Sequence, residues 1–132
     1  MNLSATIKSS LHHHEVAVQT NGDSQSITIS SKSGGYGSSV NGGEFLLLAL
    51  ATCFCNDIYR EAAKRKIQIN AVEVECTGVF GAEGEPGSDF HYKAKVTSTA
   101  SQDEIEELIN HTDRVAEIHA TLRKGVSVTL VK

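Results

Sequence analysis

The sequence predicts an α+β protein of element order βββ-α-ββ-α-β, an antiparallel sheet packed on a buried central helix. Three observations predict it. Alternating apolar and polar residues recur within 14–31 and 70–96, the period of strands with one buried face. One long segment, Glu44 to Lys66, contains no glycine or proline and is full of helix formers. A later apolar-periodic segment opens on the helix-start pattern Ser101-Gln-Asp-Glu104.

The first 31 residues read as short strands. Val16 and Val18 alternate with Ala17 and Gln19, and Asn21-Gly22 marks a tight turn. Ile27 and Ile29 alternate on the far side, so a hairpin is expected across 14–31, with a further strand around Ala5 to Lys8. Residues 32–43, rich in glycine and serine, read as a loop.

The first half of the central segment, Glu44 to Cys55, is apolar on nearly every face. Such a helix is expected to be buried all round. In the second half Ile58 and Ala62 continue the apolar side, while Arg60, Glu61, Lys64 and Arg65 face water. One small domain can hardly wrap a helix completely, so a homodimer is expected to cover its open face.

Val72, Val74 and Cys76 alternate with Glu73, Glu75 and Thr77, and Phe90, Tyr92, Ala94 and Val96 with His91, Lys93 and Lys95. These runs predict a hairpin closed by the turn region 81–88. In the later helix the Ser101 hydroxyl can accept from an orphan amide while Glu104 reaches back. Ile105, Leu108, Ile109 and Thr112 line its apolar face. Val126, Val128 and Leu130 predict a last strand.

The length of 132 residues fits one domain. Twelve Lys plus Arg against 16 Asp plus Glu give a charge of −4. That argues against general nucleic-acid binding, which needs a basic stripe. Residues 1–10 hold no apolar signal region, and the apolar run Phe45 to Ala51 is too short to span a bilayer. No membrane partner and a cytoplasmic location are expected. The odd cysteine count (Cys53, Cys55 and Cys76) suits free thiols in a reducing compartment.

The stretch Gly42-Gly-Glu-Phe-Leu-Leu-Leu-Ala-Leu-Ala-Thr-Cys-Phe54 resembles the core signature of the OsmC/Ohr proteins, the osmotically inducible and organic hydroperoxide resistance group. In that pattern a glutamate opens a leucine- and alanine-rich helix and a cysteine follows nine or ten residues later; Glu44 and Cys53 stand at those positions. The resemblance extends over essentially the whole chain, read as one OsmC-like domain, 1–132. It implies an intertwined homodimer with two interface sites and a thiol peroxidase acting on small organic hydroperoxides. Cys53 would attack the peroxide, Glu44 would help order the site, and an external thiol would supply electrons. No cofactor or metal is expected.

The sequence also departs from the family. Ala116 occupies the position of the second, resolving cysteine. No arginine precedes Arg60, so the activating arginine is missing; Lys8 and Lys32 are the available replacements, without the guanidinium fork. Asn41-Gly42-Gly43 replaces the usual proline before the glutamate. Cys53 lies beyond the first helical turn, where the dipole gives little help, and burial raises a thiol pKa.

Two functional readings follow. One is a one-cysteine peroxidase whose sulfenic acid is reduced directly by an external thiol. The other is a non-catalytic relative holding a small apolar or amphipathic ligand at the dimer interface.

Each candidate also has a plainer reading. Cys53 reads equally as a buried packing cysteine, and Glu44 as an ordinary first-turn acid. Cys55 points roughly 200° away from Cys53 on a helix, so it reads as packing. Cys76 shares a strand face with Val72 and Val74; it reads as packing first and as an alternative resolving thiol second. His12, His13 and His14 alternate across a strand and make no metal site. His111 and His119 give no fixed ligand geometry with Cys53. Gly34-Gly35-Tyr36-Gly37 lacks the elements of a phosphate loop and reads as a flexible wall that Tyr36 would line.

Overall fold

A computed structural model describes residues 1–132. The chain divides into two compact units, Met1–Glu44 and Phe45–Lys132.

In the first unit β1 (Leu3–Ser10), β2 (His13–Thr20) and β3 (Asp23–Ile27) form an antiparallel meander. Asn21 and Gly22 close the second hairpin with φ of 49° and 91°, the paired positive φ of a type I′ turn. Ala5 stands opposite Val18, Ile7 opposite Val16, and Val16 opposite Ile27. Opposed residues share a face, so one face is apolar and the other carries Ser4, Thr6 and Lys8. β3 stops at Ile27, short of the expected alternation through Ile29. There the chain turns into the loop, where the Ser39 amide donates to the Ser30 carbonyl at 2.9 Å. The loop is tied to the first hairpin: the His12 amide donates to the Gly35 carbonyl and the Gly37 amide to Ser9 Oγ.

The central helix α1 spans Gly42–Lys64. Asn41 caps it. Its Oδ1 accepts from the Glu44 amide at 2.8 Å, and Glu44 Oε1 accepts from the Asn41 amide at 3.0 Å. Phe54, Ile58 and Ala62, spaced four apart, form its buried stripe. Burial of each large side chain contributes about 1.5–3 kcal/mol. The expectation that the first half is buried all round does not hold for the single chain. Leu48 is 56% exposed and Tyr59 is 44% exposed, and Ala49 and Thr52 are also open. Within the second unit, packing partners meet only one side of the helix.

In the second unit β4 (Ile69–Val79) and β5 (Ser88–Ser98) form the expected hairpin, as a sheet of two strands separate from the first three. Val72, Val74, Tyr92, Ala94 and Val96 pack on the α1 stripe, Leu108 and Ala116. Gly78 is required on β4, because a Cβ there would lie 2.2 Å from the Phe90 ring.

Helix α2 (Gln102–Val115) opens on the predicted capping box: Ser101 Oγ accepts from the Glu104 amide and Glu104 Oε2 from the Ser101 amide. The predicted last strand is absent. Helix α3 (Glu117–Lys124) follows a break at Ala116, Gly125 ends it with φ of 75°, and residues 126–132 have no regular structure. The apolar alternation there finds no strand edge to pair with, and Val128 is 94% exposed. The order is βββ-α-ββ-α-α. No helix is long and apolar enough to cross a membrane.

Candidate functional site

Cys53 lies midway along α1, half-buried against the core cluster that contains Phe54 and Ala116. Helical spacing sets Asp57 one turn further along the same face. The Cys53 thiol donates to Asp57 Oδ2 at 3.5 Å. The backbone of Ile118, at the start of α3, lies near enough to the sulfur to favour its ionised form. The break at Ala116 that starts α3 therefore brings Glu117 and Ile118 to the thiol.

Arg60 extends this cluster. Its Nη1 lies 3.0 Å from Asp57 Oδ1 and 3.2 Å from Glu117 Oε1, and its Nε donates to Glu61 Oε1 at 2.9 Å. Glu61 is further met by Lys64 Nζ at 2.9 Å and His111 Nε2 at 3.2 Å. Asp57 and Glu61 are both buried, at 5% and 4% exposure.

The electrostatics follow from these partners. Burial pushes the Cys53 thiol up; the Ile118 amide opposes this, and the Asp57 and Glu117 carboxylates add to it. Burial and the neighbouring Glu117 raise Asp57, with Arg60 partly offsetting them. Glu117 is held low, first by its own backbone amide and then by Arg60. Lys64 and Arg60, helped by His111, hold Glu61 down at about 2 despite its burial.

The structure distributes the candidate residues widely. Glu44 is exposed and committed to the helix cap, and a nine-residue helical rise of about 13 Å separates its Cα from that of Cys53. Ala116 is fully buried in the core cluster against which Cys53 packs. All three thiols are free, and Cys76 faces inward with Val72 and Val74, its thiol pushed up by burial. Lys8 and Lys32 belong to the first unit, and Tyr36 in its loop is exposed. His111 goes to Glu61, whereas His119 stacks on Phe54 and Tyr92.

Asp57, Arg60 and Glu117 were missed from the sequence. Asp57 and Arg60 carried a usable signal: they stand four and seven residues after Cys53, on its own helical face. Glu117 carries none, because no local pattern marks the start of α3 (Glu117–Lys124). Cys53, Asp57 and Glu117 also place one ligand atom each within 4.8 Å of one another. Arg60 already shares its charge between the two carboxylates there.

A second group surrounds Tyr92. Its hydroxyl donates to Asp113 Oδ1, which also accepts from Arg123 Nη2 at 2.7 Å. Burial pushes Asp113 up, but Arg123 and Tyr92 outweigh it and hold the carboxyl low. Burial, then Arg123, lowers His119, which favours its neutral form.

The sequence pattern of OsmC-like proteins matches residues 35–131. The chain belongs to that family. Solved structures share its fold. An OsmC-like protein from Mycoplasma pneumoniae is 21% identical, with 93% of this chain and 89% of that one covered and a TM-score of 0.62. An OsmC-like protein of unknown function from Vibrio cholerae is 14% identical, with 91% and 92% covered and a TM-score of 0.63. An organic hydroperoxide resistance protein OsmC from Legionella pneumophila is 22% identical, with 91% and 89% covered and a TM-score of 0.58. No curated protein matches the sequence.

Proposed function

We propose that this protein is a one-cysteine peroxidase of small organic hydroperoxides, working through Cys53. The observation that carries the reading is the thiol hydrogen bond to Asp57, 3.5 Å long, on a carboxylate raised by burial. A raised carboxylate is a better base near neutral pH. Asp57 takes the thiol proton as the sulfur attacks the outer peroxide oxygen. The O–O bond breaks, Cys53 becomes a sulfenic acid, and the proton passes to the leaving alkoxide, giving an alcohol. Two external thiols then return the sulfenic acid to thiol, releasing water and a disulfide of the reductant. The nearby Ile118 backbone supports the ionised sulfur and Arg60 offsets charge on Asp57. Ala116 leaves no resolving thiol at the family position. Glu44 acts at a distance in this reading, by fixing the start of the helix that carries Cys53. Family membership and the naming of one structural relative as an organic hydroperoxide resistance protein support the substrate class.

The test is the intact mass of the reduced protein after brief exposure to stoichiometric cumene hydroperoxide. A rapid gain of one oxygen, absent in Cys53→Ser, is the expected result. No change over minutes would overturn the peroxidase reading. The raised thiol favours a second reading in that case: an OsmC-like protein that binds a small apolar or amphipathic molecule at a dimer interface.

In either reading residues 1–132 act as one domain within a homodimer. The open flank of α1 at Leu48 and Tyr59 and the apolar face of the first sheet support this. Light scattering should give twice the chain mass; a stable species of 14.1 kDa would contradict it.

A further inference from the structure

His119 is 3% exposed, yet neither of its ring nitrogens has a hydrogen-bond partner. Buried polar groups are normally paired, and leaving one unpaired is costly. Its surroundings provide no protein acceptor: the Phe54 ring lies at 5.7 Å and the Tyr92 ring at 4.5 Å between centroids. Tyr92 spends its hydroxyl on Asp113. The imidazole borders a cleft of about 180 Å³, lined also by Leu50, Phe90, Tyr92, Leu122 and Arg123.

We propose that this cleft binds a small monocarboxylate with a compact, flat apolar body. The His119 imidazole, turned about its soft terminal torsion, donates its N–H to the carboxylate. Arg123 supplies the countercharge. Its guanidinium gives one N–H to Asp113 Oδ1 at 2.7 Å and another to the Asp113 carbonyl at 3.3 Å. A guanidinium has five N–H donors, so others remain for a ligand. One cation already shared with Asp113 suits a single negative charge better than a phosphate dianion. Leu50, Phe90 and Leu122 favour an apolar body, and the aromatic edges of Phe90 and Tyr92 favour a flat one. Of α1, Leu50 and not Cys53 lines the cleft.

The test uses benzoate as the probe and benzyl alcohol as its uncharged counterpart, with the full chain observed by NMR at the His119 imidazole. Saturable shifts with benzoate below about 10 mM, and none with benzyl alcohol, are expected for binding at the weak end of small-ligand affinity. Arg123→Gln should weaken binding at least about tenfold, and Arg123→Lys should recover most of it. Cys53→Ser should bind as the wild type does, even if the peroxidase reading fails. Absence of a saturable shift would overturn the proposal. So would an equal response to benzyl alcohol, or loss of binding in Cys53→Ser.

Discussion

Two successive turns of α1 each bury a carboxylate, and the two carboxylates move in opposite directions. Glu61 collects Lys64, Arg60 and His111 and is held at about 2. Asp57, one turn earlier, has only a share of Arg60, with Glu117 and a thiol as its other neighbours, and it is raised. Both side chains are little exposed, but burial and Glu117 weigh most at Asp57, whereas Lys64 and Arg60 outweigh burial at Glu61. The Glu61 turn is a stabilising ion-pair network. The Asp57 turn keeps a carboxylate short of partners beside a sulfur, which is an arrangement suited to moving a proton.

The comparison breaks most directly at Asp57. Asp57→Asn removes the base and should slow oxidation of Cys53 by cumene hydroperoxide about 100-fold, the lower range for loss of a general base. The time course of intact mass reads this out. A faster variant would mean that Asp57 only repels the thiolate, since its charge also raises the Cys53 pKa.

A smaller effect sharpens the other side. A carboxyl at about 2 when folded and about 4.3 when unfolded adds stability at neutral pH. That contribution is complete above the unfolded value and is lost as pH falls from about 4 towards 2. Glu61→Gln should therefore be less stable than the wild type at pH 7 in urea unfolding. It should also lose less of its remaining stability across that acid window. An unchanged pH profile would show that Glu61 is not the group responsible.

Much of this arrangement is legible in the sequence. The Asn21-Gly22 turn, the α1 segment, the β4–β5 alternation and the Ser101–Glu104 cap each announce themselves through local chemistry. What failed depended on tertiary context. Val126, Val128 and Leu130 have strand periodicity, but periodicity cannot supply a partner edge, and α3 ends before them without one. The apolar first half of α1 reads as fully enclosed, whereas its own unit covers one flank. At the site, Cys53 was found through its family position. Glu117 and Ile118 reach it only because the chain breaks at Ala116, and no local pattern marks that break. His119 looked like one of two helix histidines, and nothing in the sequence separates its unpaired state from the Glu61 pairing of His111.

The seven residues after Gly125 have a consequence of their own. Extended, they reach about 23–25 Å, with apolar side chains alternating along a backbone that joins neither sheet. Such a ribbon is a template for edge-to-edge recruitment, and Lys132 is its only charged gatekeeper. Where no neighbouring strand captures it, the segment favours self-association that grows with protein concentration and offers proteases an extended substrate. The stickiness and fragility of the whole molecule would then be governed from this end of the chain.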